Sequence, residues 1–86
     1  MEIKVFWQAN CPNCAPAKQL VRDVAGNTDV KVRELDISDI DGMSEAAFHA
    51  VMGTPTTIIV DSNDSEIASW RSQVPSKEEL LDAINC

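Results

Sequence analysis

Phe6-Trp7-Gln8-Ala9-Asn10-Cys11-Pro12-Asn13-Cys14 is the stretch whose reading decides the fold of this chain. It follows directly on Ile3-Lys4-Val5-Phe6-Trp7, an apolar run that predicts a short buried strand. It leads into residues 15–25, where apolar side chains recur at helical spacing. Two cysteines three positions apart at such a junction can face each other over the helix N-terminus, where the backbone dipole favours a thiolate. A C-x-x-C in that setting points to a dithiol that opens and closes as a disulfide.

Outward from this stretch, the helix places Cys14, Ala17, Val21 and Val24 on one face, with Lys18, Gln19, Arg22 and Asp23 elsewhere around it. Gly26-Asn27 reads as a C-cap and turn. Val30, Val32 and Leu35 flank charged residues in a second strand that ends near Asp36. Residues 38–42, rich in Asp and Ser, read as a loop before a short helix over about residues 43–52, closed by Gly53. Thr56-Thr57-Ile58-Ile59-Val60 is a β-branched run typical of a buried strand. A turn at residues 61–64 returns it to a hairpin partner over residues 66–71, with Ile67 and Ser69 on one face and Ala68 and Trp70 on the other. Ser76-Lys77-Glu78-Glu79 has the form of a capping box and starts a last helix through Leu80, Leu81 and Ile84. The order is βαβαββα: an α/β protein with a four-stranded mixed sheet flanked by three helices, in one domain over residues 1–86.

Composition bounds the function. A chain of 86 residues buries only about 60–65% of its unfolded surface, so its core is thin. Fourteen acidic against seven basic residues give a charge of −7, which argues against nucleic acid and anionic membranes as partners. Nothing at the N-terminus reads as a signal peptide, and no segment approaches the apolar length of a membrane span. Three cysteines are an odd number and no disulfide framework, so the expected setting is a reducing cytoplasm.

The element order, the C-P-x-C after the first strand and Gly53-Thr54-Pro55-Thr56 before the third together resemble the thioredoxin fold. Size and topology are similar to glutaredoxins and to the small glutaredoxin-sized thioredoxins, especially the archaeal type. The resemblance spans essentially the whole chain. It implies a thiol-disulfide oxidoreductase in which Cys11 is the exposed nucleophile and Cys14 resolves the mixed disulfide. It also implies a cis Thr54–Pro55 bond, with Pro55 against the dithiol and the Thr54 backbone offered to the substrate chain. Pro12, Asn13 and Trp7 then support the site, Trp7 chiefly as core of the sheet. The implied partners are disulfide-containing proteins and an upstream reductase of the thioredoxin-reductase type, acting on a monomer, with neither cofactor nor metal. Two family features are missing. Val5 stands where common thioredoxins bury an acid, so proton transfer at Cys14 has to use another group or water. Gln8 and Trp70-Arg71-Ser72 stand where glutaredoxins carry groups that serve glutathione.

The residue types suit this chemistry, since disulfide reduction needs one thiolate to attack and a second thiol to expel the product. Cys11 is expected at the helix N-cap, Pro12 at the first helical position and Cys14 at the third, deeper than Cys11. Pro16 implies a distorted first turn. No Lys or Arg lies near Cys11 in sequence, so thiolate stabilisation rests on the helix terminus, which suits a reductant better than an oxidant. Rival readings are a glutathione-dependent glutaredoxin, a dedicated electron donor to an enzyme such as a ribonucleotide reductase, and an interaction domain with a vestigial motif. A zinc module built from Cys11, Cys14, Cys86 and His49 would just reach the four ligands of structural zinc. Taken singly, His49 reads as a surface or packing residue and Cys86 as an incidental terminal one. Glu34, Asp36, Asp39, Asp41 and Glu45 read as a solvated acidic edge.

Overall fold

Glu2–Trp7 forms strand β1, and the sheet is built outward from it. In the computed structural model, which describes residues 1–85, β1 pairs in parallel with β2 (Lys31–Asp36) and antiparallel with β3 (Thr56–Val60). Strand β4 (Glu66–Arg71) pairs antiparallel with β3, giving the order β2-β1-β3-β4. The parallel β1–β2 pair needs a long crossover, which helix α1 (Cys14–Ala25) supplies. Helix α2 (Ile40–Phe48) connects β2 to β3, and helix α3 (Lys77–Ile84) follows the hairpin. The expected βαβαββα order and mixed four-stranded sheet are therefore present, with the capping box at Ser76 and Glu79 intact. Cys86 lies outside the described residues.

The sheet separates two unequal cores. Ile3, Val5, Ile59 and Trp70 turn toward Val21 and Val24 of α1 and Leu80 of α3. Phe6, Leu35, Ile58 and Val60 turn the other way, toward Ala46 of α2. Every residue of β3 is buried, as a strand covered on both faces requires.

Two boundaries move relative to the sequence reading. Helix α2 begins at Ile40, with Asp39 at its N-cap, so the expected loop is three residues shorter than residues 38–42. Close packing explains this: a Cβ on Gly42 would come within 1.9 Å of the Asp36 carbonyl oxygen, so the helix is pressed against the end of β2 where only glycine fits. The helix ends at Phe48, ahead of Gly53. Ala50 takes the left-handed conformation (φ 55°), the Val51 N–H bonds back to Ala46 and the Ala50 N–H to Ala47, a Schellman closure built without glycine. Gly26 does cap α1, but in a right-handed conformation, with its N–H donating to Arg22.

The second core encloses a polar network that sequence reading did not find. Lys4, at the centre of β1, is 1% exposed, and its ammonium donates to Glu45 Oε1 (2.5 Å), Asp64 Oδ1 (3.0 Å) and His49 Nε2 (3.1 Å). Three donors thus meet three acceptors. Because an ammonium can only donate, His49 Nε2 accepts, and Nδ1 carries the proton toward Glu66 Oε2 at 3.2 Å. Arg71 closes the network on Glu66 Oε1 (2.7 Å) and the His49 carbonyl (3.0 Å). Burial alone would lower the Lys4 pKa, but the hydrogen bonds to Glu45 and Asp64 outweigh it and hold it above the ordinary lysine value. The Lys4 hydrogen bond in turn holds Asp64 below the usual carboxylate range.

This network corrects two expectations. His49 is a buried member of a charged cluster (4% exposed), a firmer role than the surface or packing one expected. The acidic edge is only partly solvated: Glu45 pairs with Lys4, and Glu34 is held by Arg22 Nε and Nη2 at 2.5 and 2.6 Å. A bulge explains how Glu66 reaches His49. Ile59 pairs with Ala68 but Val60 pairs with Glu66, so Ile67 is an extra residue and Glu66 turns to the α2 face.

Candidate active site

The chain leaves β1 at Trp7 and crosses an exposed loop in which Asn10 adopts a left-handed conformation (φ 64°), which asparagine tolerates better than most residues. A single turn follows, closed by the Cys14 N–H on the Cys11 carbonyl at 3.2 Å. Regular helical bonding starts with the Ala17 N–H on the Asn13 carbonyl. Pro16 has no N–H to give the Pro12 carbonyl, so the regular helix cannot extend back to Cys11. The distorted first turn is thus present. The N-cap is Asn13, so Cys11 sits a turn ahead of α1 and does not cap it, and Cys14 is its first residue.

Cys11 and Cys14 are joined as a disulfide with Cα atoms 5.4 Å apart. Cys14 is 2% exposed while Cys11 is half-buried, with Pro12 and Asn13 exposed between them. Cys11 therefore lies partly at the surface, while Cys14 shares the buried side of α1 with Ala17, Val21 and Val24.

A second loop approaches the first. The Thr54–Pro55 bond is cis, Pro55 is buried and Thr54 half-buried. The Pro55 carbonyl is engaged by the Gln73 N–H at 3.2 Å, whereas among the described residues no backbone bond engages Thr54. Gln8 Nε2 donates to Thr54 Oγ1 at 3.0 Å and so ties the loop that carries Cys11 to the loop that carries Pro55. Trp7 is partly buried at the same end of β1, and the Lys18 ammonium lies 3.8 Å from its ring centroid, a cation–π contact.

The residues singled out from sequence thus fall on the two neighbouring loops and the end of β1. Two neighbours escaped that reading. Gln8 entered only as a residue lacking the glutaredoxin charge, and its bridge to Thr54 has no local signal. Lys18 is read from sequence only as lying off the apolar face of the helix; its position four residues after Cys14, one turn along, is the available clue. Beside Lys18, Asp36 is held below the usual carboxylate range, chiefly by hydrogen bonds from Ser38.

The zinc arrangement finds no support. The sulfurs of Cys11 and Cys14 are bonded to each other, and both ring nitrogens of His49 are engaged by Lys4 and Glu66. Cys86 lies outside the described residues, and among those described no group of three or more His, Cys, Asp or Glu could hold a metal ion. No described helix is long and apolar enough to cross a membrane.

Comparison with known proteins agrees with this geometry. A family model described as "Thioredoxin domain" matches residues 1–85. The chain is 30% identical over 84 residues to a thioredoxin of Methanocaldococcus jannaschii, covering 98% of this chain and 92% of that one. Among solved structures it is similar to thioredoxin 1 of Thermosipho africanus, with a TM-score of 0.81 and 27% identity over 99% of this chain and 91% of that one. It also shares the fold of a mutant thioredoxin from Halobacterium salinarum, with a TM-score of 0.82 and 20% identity, covering 98% of this chain and 71% of the other.

Proposed function

The chain belongs to the thioredoxin family, and from that premise we propose how its Cys11–Cys14 pair works and on what. It is a thiol-disulfide oxidoreductase whose redox group is that pair. The observation behind the finer reading is the asymmetry of burial: Cys11 is accessible to a target, and Cys14 is not. Cys11, as a thiolate, attacks a disulfide of the target protein and forms a mixed disulfide. Cys14 then attacks the Cys11 sulfur, closes the intramolecular bond and releases the reduced target. The target chain lies in extended form along Thr54, whose backbone is free to pair with a strand, while Pro55 offers no N–H of its own. A reductase of the thioredoxin-reductase type reopens the disulfide in a reducing cytoplasm.

Two variants test the roles. Cys11→Ser is expected to abolish reduction of a protein disulfide such as that of insulin. Cys14→Ser is expected to accumulate a mixed disulfide with the target, because attack survives and resolution does not. An exchange of these two behaviours would reverse the assignment.

A further inference from the structure

Among the described residues, two buried side-chain polar atoms have no hydrogen-bond partner, Trp7 Nε1 and Thr57 Oγ1. Thr57 is the more telling, because it is fully buried while Trp7 is only partly so. The adjacent Thr56 is just as buried, yet its hydroxyl donates to the Gly53 carbonyl at 2.7 Å and accepts from the Ser72 N–H at 3.2 Å. Buried hydroxyls are nearly always paired, so this exception calls for a reason.

Its place in the sheet supplies one. Strand register sets Glu34, Val5, Thr57 and Trp70 in a row across β2, β1, β3 and β4. Side chains in such a row share a face, and Val5 and Trp70 belong to the core under α1 and α3. Thr57 therefore turns toward the side that α1 covers, near the end of β1 from which the chain leads to Cys11. The polar neighbours in the row are satisfied: Glu34 is taken by Arg22, and the Trp70 indole N–H donates to Glu79 at 3.0 Å.

Cys14, at the start of α1, is 2% exposed on that same buried side. Burial disfavours a thiolate, yet the thiolate is the form that must attack the mixed disulfide. Four charged groups on the elements around it are otherwise engaged. Glu34 is on Arg22, Asp36 on Ser38, Glu79 on Trp70 and Ser76, and Lys18 on the ring of Trp7. A disulfide sulfur is a weak acceptor, which accords with a hydroxyl left unpaired on the same side of the sheet while the pair is oxidised.

We propose that the Thr57 hydroxyl serves the resolving step, donating a hydrogen bond to the Cys14 sulfur, directly or through one water, as its thiolate forms. This rests on Cys14 being the resolving thiol. In that step the Cys14 thiol gives its proton to solvent and its sulfur attacks the Cys11 sulfur of the mixed disulfide. The Cys11–Cys14 bond forms, the Cys11–target bond breaks, and the target sulfur leaves as a thiolate and takes up a proton. Two electrons pass from the dithiol to the target, and Thr57 neither gains nor loses a proton.

The test isolates resolution. A mixed disulfide of Cys11 with thionitrobenzoate is formed at acid pH, where Cys14 reacts slowly, and jumped to higher pH while release of the chromophore is followed. Thr57→Val keeps the branched shape without the hydroxyl and should release about tenfold more slowly at neutral pH, as expected for a hydrogen bond to a charged group. The deficit should close in alkali, which forms the thiolate unaided. Thr57→Ser should match the native protein, and initial attack by Cys11 should be equal in all three. Should the valine variant fold poorly, Thr57→Ser against Thr57→Ala carries the same contrast. Release from Thr57→Val at the native rate, or equally slow release from a serine variant that melts as the native protein does, would overturn the inference. If Cys14→Ser still traps the mixed disulfide, that failure concerns Thr57 alone, whereas loss of the trap overturns the assignment of the two cysteines.

Discussion

The two faces of the sheet solve different problems. The face under α1 and α3 is closed by two helices and is almost purely apolar, from Ile3 and Val5 to Ile59 and Leu80. The opposite face has one nine-residue helix, α2, and fills what that helix leaves open with Lys4, Glu45, His49, Asp64 and Glu66. The redox pair lies at one end of the first face, where Cys14 is shut away from water. Stability on the second face depends on charges that satisfy one another. Chemistry therefore sits against a dry core, and the polar network stands apart from it on the other side of β1.

If that division holds, damage to the α2 face should cost stability and spare the thiol chemistry. The largest such effect is expected from Gly42→Ala. Its new Cβ would meet the backbone of Asp36, which cannot move aside as a side chain can, and the loss should be about 3 kcal/mol in denaturant unfolding. Reduction rates per folded molecule should be unchanged, and a fall in those rates would show that the faces are coupled.

Lys4→Met comes next. It removes the donor shared by Glu45, His49 and Asp64 while keeping an unbranched side chain in β1, and should cost about 2 kcal/mol. A neutral result would mean that the three acceptors find water at no cost.

The same network should make stability depend on pH. Asp64 is held below the usual carboxylate range, so its contribution is fully present above the unfolded value and is lost as pH falls through the folded one. Lys4 is held above the ordinary lysine value, so its contribution is present below the unfolded pKa and is lost as pH rises through the folded one. Stability of the native protein should therefore decline at both ends. Lys4→Met should decline less steeply than the native protein below about pH 4, where unfolded carboxylates take up protons. Parallel curves for the two proteins would remove Lys4 as the cause. Glu34 and Glu79 are also held low, by hydrogen bonds from Arg22 and from Ser76, and supply the acid dependence that the variant keeps.

The smallest effect has the opposite sign. Ala50 closes α2 with φ at 55°, a conformation that costs an L residue but not glycine. Ala50→Gly should raise stability by about 0.5 kcal/mol after glycine's larger unfolded-state entropy is subtracted. Thermal unfolding would show it, with reductase activity again unchanged.

Local signals proved enough for much of the fold. The β-branched run at residues 56–60, the capping box at Ser76 and the helical spacing after Cys14 each depend on neighbours a few positions away, and each appears as read. The start of α2 departs from the sequence reading because its determinant is not local: Gly42 is needed by the backbone of Asp36, and the polar run ahead of it looks like a loop. Lys4 reads in sequence simply as part of a buried strand, since its partners come from α2 and from the hairpin turn at Asp64.

What the sequence determined by itself is the dithiol, its place between a strand and a helix, the order of elements and the family to which they belong. Each of these is written in spacing and residue type over short stretches, where hydrogen-bonding capacity and side-chain shape act directly. Tertiary structure alone decided which side of the sheet received two helices and which received one, and that a bulge at Ile67 turns Glu66 toward His49. It likewise decided that Thr57 stays unpaired beside a neighbour whose hydroxyl is fully engaged. These outcomes depend on strand register and on which faces are covered, and both are set by contacts between segments far apart in the chain.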